Sequence, residues 1–352
     1  MPKFRVVLVE HGYANISVER SLIEEAGGEL IDANHLPTTE AWALCETADA
    51  VLFRRIPITA EMIGRLRQCK IIMRYGIGTD NVDVEAATQA KIIVGHVPTY
   101  CIDEVSSHAI ALVLTCARKV ALTQKKMESG RWDVHREDPV YRVAGRTLGL
   151  VGFGNLGQAV ARKFSGWSLT ILAADPYVDP QRVTELGVKL VGLENLCRES
   201  DYISLHCPLL PETRHLIGAK QFTWMKPEAI LVNTARGPVV DTQALLAALD
   251  SRKIDQAALD VFEEEPLPKD SPFRRHPRMV VTDHMAWYSE ESQRDLQRHA
   301  AEEIARVCSG GLPRSLMNPE VLRAWGRWKE WNPPENVKWQ LRRAEQLARP
   351  VP

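Results

Sequence analysis

The stretch from Leu148 to Asp175 constrains the fold of this chain more than any other part of the sequence. It begins with the apolar run LGLV, passes through the glycine turn GFGNLG, and continues with apolar residues at helical spacing. A second apolar run then ends at Asp175. This order of strand, glycine turn, helix, strand and acid predicts a βαβ unit that binds a dinucleotide.

Each glycine of the turn has its own physical role. Gly152 allows a sharp turn after the strand, Gly154 leaves room for a pyrophosphate group, and Gly157 lets the helix pack closely on the sheet. Phosphates bind at the N-terminus of such a helix because its unpaired N–H groups and its dipole face them. Asp175 can accept hydrogen bonds from both hydroxyls of an adenosine ribose and would repel a 2′-phosphate, so we predict NAD rather than NADP as the cofactor.

The composition limits the class of protein. The chain has 352 residues, of which 45% are hydrophobic and 25% are charged, and a net charge of −1, which is typical of a globular protein with two domains. The chain has no excess of basic residues that would indicate nucleic acid as a partner. Seven scattered cysteines without a Cys-x-x-Cys pair favour a reducing compartment and predict neither disulfides nor a metal site. Because no apolar run reaches the length of a membrane span, we expect a cytoplasmic protein that does not bind a membrane.

Apolar runs alternate with helix-like stretches on both sides of Pro98. Runs that are apolar throughout suit strands covered on both faces, as in a parallel sheet. We therefore predict an α/β fold with two doubly wound parallel-sheet domains. The predicted domains are a discontinuous, flavodoxin-like substrate domain at 1–100 and 291–320, a Rossmann NAD-binding domain at 101–290, and a tryptophan-rich C-terminal extension at 321–352.

Three further segments place a charged side chain after an apolar strand. Arg236 follows the run LVN, Glu265 lies near the end of ALDVFEEEP, and His284 follows VVTD. The carboxyl ends of parallel strands form the edge where ligands bind. If these three strand ends meet over a nicotinamide, Arg236 can grip the carboxylate and ketone oxygens of a 2-oxo acid. His284 can then exchange a proton near neutral pH, and Glu265 can orient the imidazole.

Each of these side chains has a simpler explanation when it is taken alone. A lone arginine after a strand is more often part of a surface salt bridge, a run of three glutamates is typical of a solvated face, and a lone histidine is more often structural. Their joint placement in a chain that already contains a nucleotide-binding unit favours the catalytic interpretation.

With these motifs, the sequence resembles the D-isomer-specific 2-hydroxyacid dehydrogenase family over about residues 4–317. The matching motifs are VGFGNLGQAVA with Asp175, LHCPLLPET, VNTARGPVVD, ALDVFEEEP and the segment around the histidine. The resemblance implies that Arg236, Glu265 and His284 are the catalytic residues. It also implies that the cofactor is bound by Gly152, Phe153, Gly154, Asn155, Leu156, Gly157, Asp175, Cys207, Pro208, Thr213, Thr234, Ala235, Arg236, Asp260 and His284.

The resemblance assigns substrate binding to the stretch RYGIGTDNVD. The backbone N–H groups of Tyr75, Gly76 and Ile77 would hold the substrate carboxylate as an anion nest does. Without the resemblance, GIGTDN is equally typical of an ordinary turn. Arg74 lies at the mouth of this loop and can add a second cation, while Trp287 can present an apolar wall soon after the catalytic histidine. The alternatives are a surface ion pair for Arg74 and packing in a domain hinge for Trp287.

Within the family, the sequence most strongly resembles the C-terminal-binding proteins, which are dehydrogenase-like transcriptional corepressors, and their bacterial relatives. The likeness rests on HMAWYSE from His284 onward, on Arg74 before the substrate loop, and on DPY from Asp175 onward. Phosphoglycerate dehydrogenases have small, glycine-rich residues after the catalytic histidine, whereas this chain has MAW there. This difference disfavours phosphoglycerate as the substrate. The chain also departs at Val105, where relatives often carry a hydroxyl residue near the cofactor.

The resemblance implies an enzyme that uses NAD to interconvert a 2-oxo acid and a D-2-hydroxy acid, with His284 as the acid and base. Arg74 and Trp287 suit a substrate with an apolar or thioether side chain or with a distal acid, and they suit pyruvate poorly. The alternative function is an NAD-regulated, dimeric binding protein that resembles the corepressors. The family also implies a homodimer built on the helix expected at about 103–127, although that helix can instead be wholly intramolecular.

Overall fold

The structure is a computed structural model that describes residues 2–132 and 138–332, together with 338 and 341–343. The chain divides into two compact units. The first unit comprises residues 1–100 and 289–352, and the second comprises residues 101–288. Trp339, one of the tryptophans of the predicted extension, lies outside the described residues.

The first unit is built on a five-stranded parallel sheet with the order β2-β1-β3-β4-β5. Its strands are β1 (Phe4–Leu8), β2 (Gly28–Asp32), β3 (Ala50–Phe53), β4 (Ile71–Arg74) and β5 (Ile93–Gly95). The connecting helices are α1 (Ser17–Glu25), α2 (Thr38–Cys45), α3 (Ala60–Gly64) and α4 (Val84–Gln89). All residues of β3 and β5 are buried, as expected for strands covered on both faces. The order 2-1-3-4-5 is that of a flavodoxin-like sheet.

The second unit is built on a seven-stranded parallel sheet with the order β12-β11-β10-β9-β6-β7-β8. Its strands are β6 (Thr147–Val151), β7 (Thr170–Ala174), β8 (Lys189–Leu190), β9 (Tyr202–Leu205), β10 (Ile230–Asn233), β11 (Gln256–Leu259) and β12 (Met279–Val281). Its helices are α5 (Ile102–Ala117), α6 (Val120–Glu128), α7 (Asn155–Phe164), α8 (Pro180–Glu185), α9 (Leu193–Glu199), α10 (Ala219–Trp224) and α11 (Thr242–Asp250). Counted within the unit, the order is that of a Rossmann sheet, 3-2-1-4-5-6, with a seventh strand added. The two sheets confirm the predicted fold class.

The prediction of a single helix at about 103–127 is wrong in one respect, because the structure has two helices there. The helices α5 and α6 are bent by 60° at the break between them. Lys119 lies at this break with a left-handed backbone (φ 54°), and its Nζ lies 2.7 Å from the carboxylate of Asp255. Among the described residues, no single helix is long and apolar enough to cross a membrane, and only this bent pair reaches that length and composition.

The chain returns to the first unit through α12 (Glu290–Cys308), followed by α13 (Val321–Ala324). Ser289 and Ser292 exchange hydrogen bonds in a capping box that starts α12. Beyond α12, Met317 donates its N–H to Val94 O at 2.8 Å, so this segment covers the edge of β5. Val321 and Leu322 are fully buried, and the indole of Trp331 donates to Pro313 O at 3.0 Å. The described part of the extension therefore packs on the first unit.

Candidate active site

The glycine turn lies between β6 and α7, where the strand order of the second sheet reverses. Gly152 has φ 89°, and a Cβ there would lie 2.7 Å from the backbone nitrogen of Cys207. A Cβ at Gly157 would overlap the carbonyl oxygen of Gly152. At Gly154, by contrast, a Cβ would meet nothing within 4 Å. The N-terminus of α7 therefore faces open space, and its N–H groups can bind a phosphate.

Asp175 follows β7, and its carboxylate is already held by backbone N–H groups. Its Oδ2 accepts a hydrogen bond from Phe153 N at 2.8 Å, and its Oδ1 accepts from Tyr177 N at 2.8 Å and from Val178 N at 3.1 Å. A carboxylate offers about four acceptor positions. These three bonds fix its orientation and leave about one position for a ribose hydroxyl.

Two loops beside the glycine turn carry the other predicted cofactor residues. Burial raises the pKa of the Cys207 thiol to about 12, so this side chain is neutral. Thr213 Oγ1 accepts from Leu210 N and donates to Pro208 O, both at 2.7 Å, and thereby holds its own loop. Thr234 Oγ1 is buried and has no hydrogen-bond partner among the described residues. A buried hydroxyl without a partner fits a site that a polar ligand completes.

Arg236 follows β10 and is held by its neighbours in the chain. The side chain of Asn233 accepts from Ala235 N at 2.9 Å and donates to Arg236 O at 2.8 Å. One guanidinium nitrogen of Arg236 donates to Ala235 O at 2.8 Å. The next residue, Gly237, packs so closely on Phe262 that a Cβ would overlap its backbone. The turn of Arg236 therefore contacts the loop that follows β11.

His284 and Glu265 form a hydrogen-bonded pair, with His284 Nδ1 lying 2.6 Å from Glu265 Oε2. The other carboxylate oxygen accepts from Phe262 N at 2.9 Å. Burial alone would raise the pKa of the Glu265 carboxyl. The hydrogen bond and charge of His284, the Phe262 N–H and the charge of Arg236 outweigh burial and lower this pKa. Because Nδ1 is occupied and the imidazole side chain is 41% exposed, Nε2 is the nitrogen that can meet a substrate.

The loop of His284 is anchored on Asp260. His284 has a left-handed backbone (φ 58°), which non-glycine residues adopt only when their surroundings impose it. The Asp260 side chain is 1% exposed and accepts three hydrogen bonds from residues on both sides of His284. The donors are Thr282 Oγ1 at 2.6 Å, Met285 N at 3.0 Å and Ala286 N at 3.0 Å. In the structure, Asp260 thus holds the position of His284.

The strands β10, β11 and β12 are neighbours in the sheet, so the loops of Arg236, Glu265 and His284 leave it side by side. The structure therefore brings the three predicted catalytic residues to one edge of the second unit. Trp287 lies in the same loop as His284, is half-buried, and makes an edge-to-face contact with Tyr288.

The predicted substrate loop belongs to the first unit, where it follows β4. The side chain of Tyr75 is 2% exposed, and its hydroxyl donates to Glu19 at 2.5 Å, so the ring points into the core. Gly76 has φ 140°, and the guanidinium of Arg74 lies against it. The carbonyl of Ile77 lies 2.7 Å from a ring nitrogen of His96. The predicted contact of Tyr75 is wrong, because its N–H extends the sheet by donating to Phe53 O at 2.8 Å and its side chain is buried. The N–H groups of Gly76 and Ile77, with Arg74, are the parts of this loop that suit an anion.

A family model named D-isomer specific 2-hydroxyacid dehydrogenase, NAD binding domain, matches residues 110–286, half of the chain. The protein belongs to this family. The match covers the glycine turn and the loops of all three predicted catalytic residues. It confirms that the chain contains an NAD-binding domain and that NAD is the cofactor, while the predicted domain bounds stay a prediction.

Curated relatives and solved structures agree with this family. D-3-phosphoglycerate dehydrogenase of Methanocaldococcus jannaschii is 38% identical over 84% of this chain and 56% of its own length. Glyoxylate reductase of Korarchaeum cryptofilum is 40% identical over 76% of this chain and 81% of its own length. The structure of a glyoxylate reductase from Paecilomyes thermophila has a TM-score of 0.81 at 26% identity and covers 90% of this chain and 99% of its own. The chain thus spans little more than half the length of the phosphoglycerate dehydrogenase that it matches. The finer likeness to C-terminal-binding proteins stays a prediction.

Two residues that shape the site, His108 and Asn233, were not predicted from the sequence. His108 from α5 lies 3.1 Å from Thr282 Oγ1 and 3.6 Å from Asp260 Oδ1. Asn233 fixes the backbone around Arg236. The place of Asn233 directly before the TARG motif was the available signal, whereas nothing near His108 in the sequence indicates its contact. Within the described residues, no group of three or more histidine, cysteine or acidic side chains is arranged to hold a metal.

Proposed function

We propose that the protein is a D-2-hydroxyacid dehydrogenase that interconverts a 2-oxo acid and the corresponding D-2-hydroxy acid. The observation that carries this proposal is the His284–Glu265 pair, which shares one sheet edge with Arg236. NAD supplies or accepts the hydride when it is bound. As negative charge develops on the ketone oxygen, His284 Nε2 donates a proton to it, and Arg236 binds that oxygen and the carboxylate. The charged Glu265 orients the ring through its hydrogen bond to Nδ1.

Several features of the second unit that the sequence predicted favour the binding of NAD. The open N-terminus of α7 faces the place for the pyrophosphate, and the negative charge of Asp175 disfavours a 2′-phosphate. The unpartnered hydroxyl of Thr234 offers a further polar contact. We assign the remaining predicted cofactor contacts to the same edge of the second sheet, where Cys207 contributes backbone atoms because its thiol is buried.

We propose that the first unit is the substrate domain and that Gly76 and Ile77 bind the substrate carboxylate through backbone N–H groups, since the N–H of Tyr75 already donates to Phe53 O at 2.8 Å. Arg74 and Trp287 favour a 2-oxo acid with an apolar or thioether side chain or with a distal acid. The curated relatives named above act on phosphoglycerate or glyoxylate according to their names, so both acids belong in the test.

We further propose a cytoplasmic homodimer. Helix α6 has no buried residue, and Val120 and Met127 are 57% and 46% exposed, so its apolar side chains are open to a partner. Light scattering at micromolar concentration with NADH present tests the dimer, and a monomer under these conditions would contradict it.

The activity is tested by NADH oxidation with a panel of 2-oxo acids. The panel contains pyruvate, glyoxylate, 2-oxobutyrate, 4-methylthio-2-oxobutyrate, phenylpyruvate, 2-oxoglutarate and phosphohydroxypyruvate. One additional methylene in a fitting pocket changes catalytic efficiency by about 10- to 200-fold, so the ranking identifies the side-chain class. Trp287→Ala should change this ranking, and Arg74→Ala should reduce the rates of substrates with a distal acid most. Binding of NADH without turnover of any acid would favour the NAD-regulated binding protein instead.

A further inference from the structure

The glutamate run at 263–265 has three different surroundings. Glu265 pairs with His284, and Glu264 is exposed to solvent. Glu263 binds two other segments of the second unit, although a run of acids is usually only a solvated face. Its side chain is 28% exposed.

The Glu263 carboxylate bridges two segments that flank the turn of Arg236. Its Oε1 accepts a hydrogen bond from Thr242 N, at the start of α11, at 2.9 Å. Its Oε2 lies 3.0 Å from His215 Nε2. His215 in turn donates its backbone N–H to Pro238 O at 2.8 Å. The carboxylate is thus tied to the start of α11, beyond the turn of Arg236, at one end and through His215 to Pro238 in that turn at the other.

The loop of Glu265 and the turn of Arg236 also touch through their backbones. Gly237 packs on Phe262 with no space for a Cβ, and Phe262 N donates to Glu265 at 2.9 Å. The N–H of Asp260 also donates to Asn233 O at 3.0 Å, where the two strands end. The carboxylate of Glu263 adds a connection farther from the strand ends, which fixes the spacing of the two loops there.

The charge of Glu263 contributes to this connection. Burial alone would raise the pKa of its carboxyl, but the hydrogen bonds from Thr242 and His215, together with the charge of His215, lower it. Glu263 is therefore an anion at neutral pH, and an anion is the stronger acceptor for both donors.

We propose that Glu263 is a positioning residue that fixes the spacing between Arg236 and Glu265, with His215 as its partner. The inference rests on the proposed function, in which Arg236 binds the substrate and Glu265 orients His284. A displacement of about 1 Å in such a constellation can cost up to about 100-fold in rate.

The test compares Glu263→Ala, Glu263→Gln, His215→Ala and the double alanine variant with the control Glu264→Ala. For the best 2-oxo acid, Glu263→Ala should lower kcat/KM by about 10- to 100-fold, while the Kd for NADH stays close to that of the wild type. Glu263→Gln keeps an acceptor for Thr242 and should lose less. The double variant should be no worse than the poorer single variant, because the two side chains act as one unit. Glu264→Ala should match the wild type.

Three results would overturn the inference. The first is a kcat/KM of Glu263→Ala and His215→Ala equal to that of Glu264→Ala. The second is a lower Tm without any change in kcat or KM, which indicates a purely structural role. The third is independent, additive losses in the double variant. If Glu263→Ala does not fold, wild-type kcat/KM in His215→Ala overturns it. A wild type that reduces no 2-oxo acid refutes the proposed function itself, and this inference falls with it.

Discussion

Replacement of Asp260 by asparagine tests how the loop of His284 is held. The buried carboxylate accepts from Thr282 Oγ1, Met285 N and Ala286 N. Asparagine has nearly the same shape, but its amide nitrogen donates hydrogen bonds and cannot accept them. At least one of the three donors therefore loses its acceptor in Asp260→Asn.

The size of the effect follows from these contacts. A hydrogen bond to a charged group contributes about 1.5–3 kcal/mol to stability. The left-handed backbone of His284 stores a further strain of about 1–3 kcal/mol, which favours opening of the loop once its anchor weakens. Since 1 kcal/mol shifts the Tm of a domain of this size by about 2–4 °C, Asp260→Asn should lower Tm by about 3–12 °C. The kcat should fall by about 10- to 100-fold because His284 leaves its position.

The assay separates the anchoring role of Asp260 from the predicted cofactor contact. An anchor lowers Tm and kcat and leaves the Kd for NADH nearly unchanged, whereas a cofactor contact raises this Kd. Thermal unfolding, steady-state kinetics and NADH fluorescence titration measure the three quantities. Asp270→Asn, at an exposed position, serves as the control. Wild-type Tm and kcat in Asp260→Asn would refute the reasoning.

Other positions give separate expectations. His284→Ala should lower kcat by about 10²- to 10⁴-fold while NADH still binds, and near-normal rates would exclude His284 as the proton donor. Asp175→Ala should weaken NADH binding more than NADPH binding, which paired titrations check. Burial alone would raise the pKa of Asp201, but hydrogen bonds from a backbone N–H, a lysine and an arginine lower it. This group therefore stabilises the fold above its unfolded pKa of about 3.9, and the stabilisation is lost as the pH falls through the lower folded pKa. Asp201→Asn should accordingly lower the free energy of unfolding at pH 7 and approach the wild type at pH 3 in urea titrations. Removal of residues 321–352 should lower Tm because it deletes two fully buried side chains.

The sheets and the meeting of the three strand ends could be predicted because they depend on local spacing. Strand, turn and helix periods are visible in short windows of sequence, and parallel strands place their carboxyl ends at one edge. The loops of Arg236, Glu265 and His284 are adjacent for this reason. The roles of Gly152 and Gly157 were predictable from the same local pattern. In the structure, each has a close backbone neighbour that excludes a side chain.

The break between α5 and α6 could not be predicted from local pattern. The apolar spacing continues across it, but Lys119 adopts a left-handed backbone and its ammonium group lies 2.7 Å from Asp255. These two residues are 136 positions apart, and Lys119 is 5% exposed. A buried lysine needs a partner for its charge. The break after α5 therefore involves Asp255, which is distant in the sequence and pairs with Lys119.

The anchoring contacts of the acids after β11 escaped prediction for a related reason, although Asp260 itself was predicted as a cofactor contact. Met285, Ala286 and Thr242 donate to these acids through backbone N–H groups, which every residue except proline supplies, so these contacts leave no mark in the sequence. Because β11 lies between β10 and β12, acids at its end reach the loops on both sides. Asp260 holds the loop after β12, and Glu263 holds the turn after β10. Substitutions at this one strand end should therefore disturb both Arg236 and His284.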